Sequence, residues 1–296
     1  MERSVEQALR ACGSAVPASA IGLLDEVRAR LFGTTPRRAR LGRYEILGRV
    51  GAGGGGVVLR AFDPRLQRDV AIKVVHAHGG EPAQVRLLRE ARALARISHP
   101  NVVALFDVGR VDTARDTELA RFAGTAVDGS VYLVMEWLDG GDLAAWLAAR
   151  PRPWPEIVRA FVAAGRGLEA AHAAGVLHRD FKPQNVVLGR HGARVDACLR
   201  VADFGLTRPR DPSSSEIVAD DLDQPFGITR PDTVMGTPIY MAPEQHVGGT
   251  IDERTDQYAF CTALHEALAG PRAYESLTAL VAAKLAGPPP LAVPGV

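Results

Sequence analysis

The sequence predicts an α+β fold made of two unlike parts. Short β-type runs fill the stretch after Arg43, long helical patterns fill the stretch after Asp142, and 296 residues suffice for one large domain or two modest ones. With 47% hydrophobic and 23% charged residues, the chain can bury a substantial core and lies far from the composition of a disordered one.

Residues 1–42 read as a helical extension with a linker. Ser4 and Gln7 have capping-box spacing, and Ile21, Leu24, Val27 and Leu31 form one stripe of a helix that Gly33 stops. Thr34 to Arg40, with Pro36, reads as the linker. Tyr44–Val50, Val57–Phe62 and Val70–Val75 then alternate like strands, separated by glycine and turn residues. A helix is expected over Pro82–Ile97, and two more strands over Val102–Val108 and Val131–Glu136. Beyond Asp142, helices are expected over Leu143–Ala149, Glu156–Ala174 and Thr255–Ala269, interrupted by a small hairpin of Val186–Leu188 with Leu199–Val201. There is no internal repeat.

Charge excludes some classes of function. Lysine plus arginine number 35 against 34 acids, so no electrostatic nucleic-acid binder is indicated. No apolar run has transmembrane length, and no secretory signal opens the chain. Cys12, Cys198 and Cys261 are dispersed, odd in number and not in metal spacing, which reads as reduced thiols in a cytoplasmic protein. Almost every basic residue is arginine: the lysines are Lys73, Lys182 and Lys284, and the asparagines are Asn101 and Asn185. An ammonium is a compact point charge and a guanidinium a wide planar fork, so a lysine kept in such a chain marks a position where the difference counts.

Most of these scarce residues fall in motifs. Gly51-Ala52-Gly53-Gly54-Gly55-Gly56-Val57-Val58 lies between two strands. A dinucleotide fingerprint needs a helix directly after its glycines; here a strand follows, which suits a hairpin lying over phosphates. Val70-Ala71-Ile72-Lys73 lies on the third strand, where the ammonium can reach beneath that hairpin, and Glu90 on the next helix is a candidate ion-pair partner. In His178-Arg179-Asp180-Phe181-Lys182-Pro183-Gln184-Asn185, Asp180 can orient and deprotonate a hydroxyl. Lys182 can neutralise a phosphoryl in flight, and Asn185 offers an amide oxygen to a hard cation. Asp203-Phe204-Gly205 offers a second oxygen ligand, and Gly236 to Glu244 resembles a docking platform closing a long loop.

From Arg43 to about Leu291 these motifs, in this order, resemble the Hanks-type protein kinases of the bacterial eukaryotic-like serine/threonine group. The resemblance implies a bilobal kinase fold over 43–296, with a β-rich N-lobe (43–135), a hinge (136–138) and a helical C-lobe (139–296). It implies an ATP site formed by Val50, Gly51, Ala52, Gly53, Gly54, Gly55, Gly56, Val58, Ala71, Lys73, Met135, Glu136, Leu138 and Asp142. Lys73 pairs with Glu90, Met135 is the gatekeeper, Glu136 and Leu138 hold adenine, and Asp142 reaches the ribose. Asp180 is the catalytic base, and Asn185 and Asp203 hold Mg²⁺ or Mn²⁺. Leu94, Leu105, His178 and Phe204 stack into a regulatory spine anchored by Asp256. Lys182 and Thr237 point to serine or threonine of protein substrates. Thr229 and Thr233 are the candidate phosphosites, with Arg179 either an unpaired cation awaiting a phosphate or paired with a carboxylate or backbone carbonyl and needing none, and self-association for autophosphorylation is a further implied partnership in bacterial signalling.

The sequence departs from the family in two places. The segment from Asp203 to Glu244 is long, with Ser213, Ser214 and Ser215 and acidic Asp220, Asp221 and Asp223. The family also continues for about two helices past the position of Val296, so its C-terminal helices are expected to be missing and Glu244 to lie buried without its usual arginine, unless Arg254 or Arg272 substitutes. The same residues admit a nucleotide-binding scaffold without transfer, or a fragment of a longer kinase. Lys73, Asp180, Asn185 and Asp203 together argue against the scaffold.

Overall fold

The computed structural model describes residues 39–53, 56–75, 80–112, 119, 129–189, 195–205, 239–270 and 277–287. The helices expected before Gly33, the residues Gly54, Gly55, Ser213 to Ser215, Thr229, Thr233, Thr237 and Arg272, and the acidic run at 220–223 lie outside the described residues.

Numbered over the described residues, the strands are β1 (Arg40–Leu41), β2 (Tyr44–Gly53), β3 (Gly56–Asp63), β4 (Arg68–Val75), β5 (Leu105–Arg110), β6 (Val131–Glu136), β7 (Val186–Leu188) and β8 (Leu199–Val201). The first six form one sheet in the order β1-β2-β3-β4-β6-β5, with antiparallel pairing throughout. Its alternation is what builds the site. On β4, Val70, Ile72 and Val74 are fully buried among Val57, Leu59, Ala61 and Val134. The intervening Ala71 and Lys73 therefore face the opposite side, because successive strand residues point to opposite faces. Val58 stands across from Lys73 on β3, and Met135 stands across from Ala71 on β6, so all four share that face.

Helix α1 (Gly80–Leu94) buries Leu87, Ala91 and Leu94, spaced at i, i+4, i+7, and leaves its arginines outward. The helical half contains α2 (Leu143–Ala148), α3 (Trp154–Ala173), α4 (Val195–Cys198), α5 (Pro243–Val247), α6 (Glu253–Ala269) and α7 (Leu277–Ala286). Pro153 precedes α3, whose buried stripe includes Ile157, Ala160, Phe161, Ala164, Leu168 and Ala171. Asp252 caps α6 by accepting from the Arg254 amide at 2.8 Å. The two long helices meet where the Phe161 and Phe260 rings lie edge to face, 5.6 Å apart.

The sheet, the helical half and the small β7–β8 hairpin appear as expected, with the hairpin at the expected residues. Four differences have local causes. Arg40–Leu41, placed in the linker, pairs with Tyr44 and Glu45 as β1, and Ala39 and Leu41 are buried, so the sheet begins before position 43. Helix α1 ends at Leu94 rather than Ile97. The strand expected from Val102 starts only at Leu105. Its first residues are drawn off to β8, where Val102 bridges Val201 and the Val103 amide donates to the Val201 carbonyl at 2.9 Å. Finally, α4, α5, α7 and the 3₁₀ turn Pro183–Asn185 were not foreseen; all but α7 are of five residues or fewer, too short to show a period. Among the described residues, no helix is long and apolar enough to cross a membrane.

Candidate functional site

The site lies between the Lys73 face of the sheet and the loops of the helical half. Its roof is the β2–β3 hairpin, where Gly51, Ala52 and Gly53 pair with Val58, Val57 and Gly56. Gly56 has φ +119°, and a Cβ there would fall 2.0 Å from the Val74 carbonyl oxygen, so no other residue fits without moving β4. Val50 at the hairpin's base is 55% exposed, available to cover a flat ligand. At the back, Met135, Lys73, Val75, Leu94, Val103, Leu133, Asp203 and Phe204 surround a gap of only about 10 Å³. Met135 thus closes the rear of the cleft.

The connection after β6 is held from below. The Glu136 carboxylate lies 3.5 Å from Arg200 Nε on β8, and the Gly140 amide donates to the Leu188 carbonyl at 2.8 Å. Asp142 is the N-cap of α2, accepting from the Ala145 amide at 2.7 Å, so one of its oxygens serves the helix.

The side chains of the loop at 178–185 converge. Lys182 Nζ lies 3.2 Å from Asp180 Oδ2, and Asn185 Nδ2 donates to the Asp180 carbonyl at 2.7 Å, which turns the Asn185 amide oxygen away from that contact. Beneath them is a polar anchor. The carboxylate of Asp256, on α6 and 1% exposed, accepts from the amides of His178 (2.7 Å) and Arg179 (2.6 Å) and from His172 Nε2 (2.8 Å). Burial alone would raise the Asp256 pKa. The hydrogen bond from His172, with the charge of His178 and the two amides, outweighs that and holds the carboxyl below its ordinary range. His178 is fully buried, which depresses its own pKa, and its Nε2–H donates to the Ala202 carbonyl at 2.9 Å. The His178 ring lies 4.8 Å from the Phe204 ring, and Phe204 lines the rear gap with Leu94.

Two backbone positions here are unusual. Arg179 (φ +61°) and Asp203 (φ +56°) adopt the left-handed region, which costs a non-glycine residue about 1–3 kcal/mol and persists only where the surroundings enforce it. For Arg179 the enforcement is its amide's bond to Asp256. For Asp203 it is the next turn, where the Gly205 amide donates to the His178 carbonyl at 2.7 Å and a Cβ would meet that oxygen at 2.5 Å.

One expectation is corrected. Lys73 Nζ pairs with Asp203 Oδ1 at 3.2 Å, while Glu90 Oε1 pairs with Arg179 Nη1 at 3.5 Å. Among the described residues, then, the Lys73–Glu90 pair is replaced by two others, and Arg179 is not the unpaired cation that the sequence suggested. The reason is placement: Arg179 is 5% exposed, and a guanidinium so buried requires an anion, which α1 supplies through Glu90. Glu244 also differs from expectation. It is only partly buried, lies in the first turn of α5 where a carboxylate is favoured, and accepts from Thr255 Oγ1 at 2.6 Å. Arg254, one of its candidate partners, is exposed.

The donor set fits a magnesium ion carried in with phosphates. Asn185 and Asp203 give two hard oxygen donors, and Mg²⁺ takes one or two protein carboxylate-type ligands together with phosphate oxygens and water. No cluster of three or more His, Cys, Asp or Glu suited to a resident metal occurs among the described residues.

Sequence reasoning missed Gln245. Its Oε1 accepts from the Ala242 amide at 2.9 Å and its Nε2 donates to the Arg179 carbonyl at 2.9 Å, tying the platform segment to the catalytic loop. It also missed His172 and Arg200. His172 occupies a late turn of α3, and no local motif marks it; only the fold brings it to Asp256.

Comparison with known proteins agrees with this geometry. Residues 44–284 match the model of the protein kinase domain family. The chain is 37% identical over 238 residues to the DNA damage-responsive serine/threonine-protein kinase RqkA of Deinococcus radiodurans, covering 80% of this chain and 31% of that protein. It is 34% identical over 256 residues to the serine/threonine-protein kinase Pkn1 of Myxococcus xanthus, covering 85% and 33%. It therefore spans about a third of the length of these relatives. The crystal structure of the PknI kinase domain of Mycobacterium tuberculosis superposes with a TM-score of 0.55 at 26% identity, covering 81% of this chain and 83% of that one.

Proposed function

Because the chain belongs to the protein kinase family, we propose that it transfers the γ-phosphoryl of ATP, as its magnesium complex, to serine or threonine hydroxyls of proteins. The observation that carries this reading is the convergence of Asp180, Lys182 and Asn185 in one loop anchored on Asp256, facing Lys73 and Asp203. Asp180 accepts the proton of the attacking hydroxyl. Lys182, 3.2 Å from it, orients that carboxylate and balances negative charge on the phosphoryl oxygens. Lys73 holds the non-transferred phosphates. Val50, Val58, Ala71 and Met135 enclose adenine, with backbone groups of Glu136 and Leu138 reading its edge. Asn185 and Asp203 are the oxygen donors for Mg²⁺, which supplies charge neutralisation on the phosphates when bound.

The ion pairs suggest how the site is controlled. Glu90 can serve Lys73 or Arg179 but not both at full strength. A phosphate on Thr229 or Thr233, brought to Arg179 by a second copy's transfer, would displace Glu90 and free it for Lys73. This makes the domain a phosphorylation-controlled signalling kinase. A cytoplasmic site of action follows from the reduced-thiol reading of its dispersed cysteines.

The test is incubation of purified protein with Mg·ATP and a generic protein acceptor, followed by phosphoamino-acid analysis. Phosphoserine and phosphothreonine are expected. ATP binding with no transfer to any acceptor or to itself would overturn the kinase reading in favour of a nucleotide-binding scaffold.

A further inference from the structure

The third lysine has no place in the chemistry described so far. Arginine outnumbers lysine 32 to 3 in this chain (35 basic residues less Lys73, Lys182 and Lys284), and two of the three lysines belong to the catalytic site. Lys284 lies on α7, in a helix with no other charged residue. Its Nζ donates to the Met241 carbonyl at 2.5 Å, lies 3.3 Å from His246 Nε2, and stands 5.7 Å from the centre of the Tyr258 ring. One ammonium thus gathers the segment leading into α5, α5 itself, and α6.

That segment is the end of the long loop, and its other bonds lead to the catalytic loop. Tyr240 donates its hydroxyl to Glu266 on α6 at 2.5 Å. The amide of Ala242, next to Met241, is held by Gln245, which in turn holds the carbonyl of Arg179 beside Asp180. A displacement of Met241 is therefore passed to Asp180 through two hydrogen bonds of one glutamine. An arginine at 284 would not reproduce the contact geometry of a single point donor, which accounts for a lysine here.

Resting on the kinase reading above, we propose that Lys284 is a positioning residue that fixes the Ile239–Ala242 segment as a platform for the protein substrate, so that it governs use of the protein acceptor and not of ATP. Burial also lowers the Lys284 pKa to about 8. The groups that face it include His246 on α5, Tyr258 on α6 and the Met241 carbonyl.

The experiment compares the full chain with Lys284→Met, Lys284→Gln and Lys284→Arg. Kinetics are measured with a protein acceptor, ATP affinity separately, and amide hydrogen exchange over residues 239–247. Lys284→Met is expected to raise KM for the acceptor roughly ten-fold, the scale of a lost charge-assisted hydrogen bond, with Kd for Mg·ATP unchanged. It should also speed exchange at 239–247. Lys284→Arg should recover part of both effects and Lys284→Gln less. An unchanged acceptor KM with a lowered melting temperature alone would assign Lys284 to helix docking and overturn the proposal. If Lys284→Met does not fold, the Lys284→Gln exchange rates decide. If the unaltered protein transfers no phosphate, the kinase reading fails by itself, while unaltered exchange at 239–247 in the variants would still refute the positioning role of Lys284.

Discussion

Glu90 on α1 lies 3.5 Å from Arg179, the residue before Asp180, and not against Lys73, whose ammonium pairs with Asp203 at 3.2 Å. Helix α1 is thereby tied to the loop at 178–185 by a pair that competes with the Lys73–Glu90 pair proposed to hold phosphates. Arg179 is 5% exposed and Glu90 18%, so neither charge is well screened by water.

This pairing makes a thermodynamic prediction. In nucleotide-free protein, a double-mutant cycle of Glu90→Gln with Arg179→Gln should show a coupling of about 0.5–3 kcal/mol in unfolding free energy. The cycle of Glu90→Gln with Lys73→Met should be additive within roughly 0.5 kcal/mol. Coupling in the second cycle and none in the first would mean that Glu90 rests on Lys73.

Lys73→Arg keeps the charge but replaces a point donor with a planar fork. Transfer should fall by about 100-fold or more, the scale of losing one preorganised electrostatic contact. Near-normal kcat/KM in this variant would remove Lys73 from the phosphate site.

Asp256 holds the loop at 178–185 through two backbone amides and accepts a third hydrogen bond from His172 on α3, and its pKa is lowered. A carboxyl whose folded pKa is depressed contributes stability that is complete above its ordinary pKa of 3.8 and is lost as pH falls through the lower folded value. Asp256→Ala should therefore cost about 3–5 kcal/mol near neutral pH. Its melting temperature should also be less sensitive to acid below pH 4 than that of the unaltered protein. A parallel acid dependence in the two proteins would show that Asp256 does not titrate with folding.

Much of the fold was legible because β-type alternation and helical stripes are local signals, and the candidate site was legible because lysine and asparagine are scarce here and clustered. Lys73, Asp180, Lys182, Asn185 and Asp203 all come to one cleft. The ion-pair partners were not legible. Glu90 is one of several charges on α1, and whether it turns to Lys73 or Arg179 depends on helix placement that no periodicity encodes. Gln245, His172 and Lys284 act through contacts with residues distant in sequence, such as His172 with Asp256, Gln245 with Arg179 and Lys284 with Met241, apart from Gln245's bond to Ala242. The residues nearest in sequence gave no hint of them.

Division of labour between Asp180 and Asp203 gives a further check. Asp203→Ala should weaken the magnesium dependence of nucleotide binding, since it removes one of two protein oxygen donors. Nucleotide binding by Asp203→Ala with the full magnesium dependence of the unaltered protein would remove Asp203 from the metal site.

The central claim is that Asp180 is the base of a phosphoryl-transfer site whose nucleotide pocket is built by other residues. The most direct measurement sets Mg·ATP affinity beside phosphate transfer in Asp180→Asn and the unaltered protein. The account predicts an affinity within about two-fold of the unaltered value and transfer reduced by several orders of magnitude, beyond the 10²–10⁴ range ascribed to a general base alone because Lys182 loses its carboxylate partner as well. Transfer by Asp180→Asn at a rate near that of the unaltered protein would contradict it.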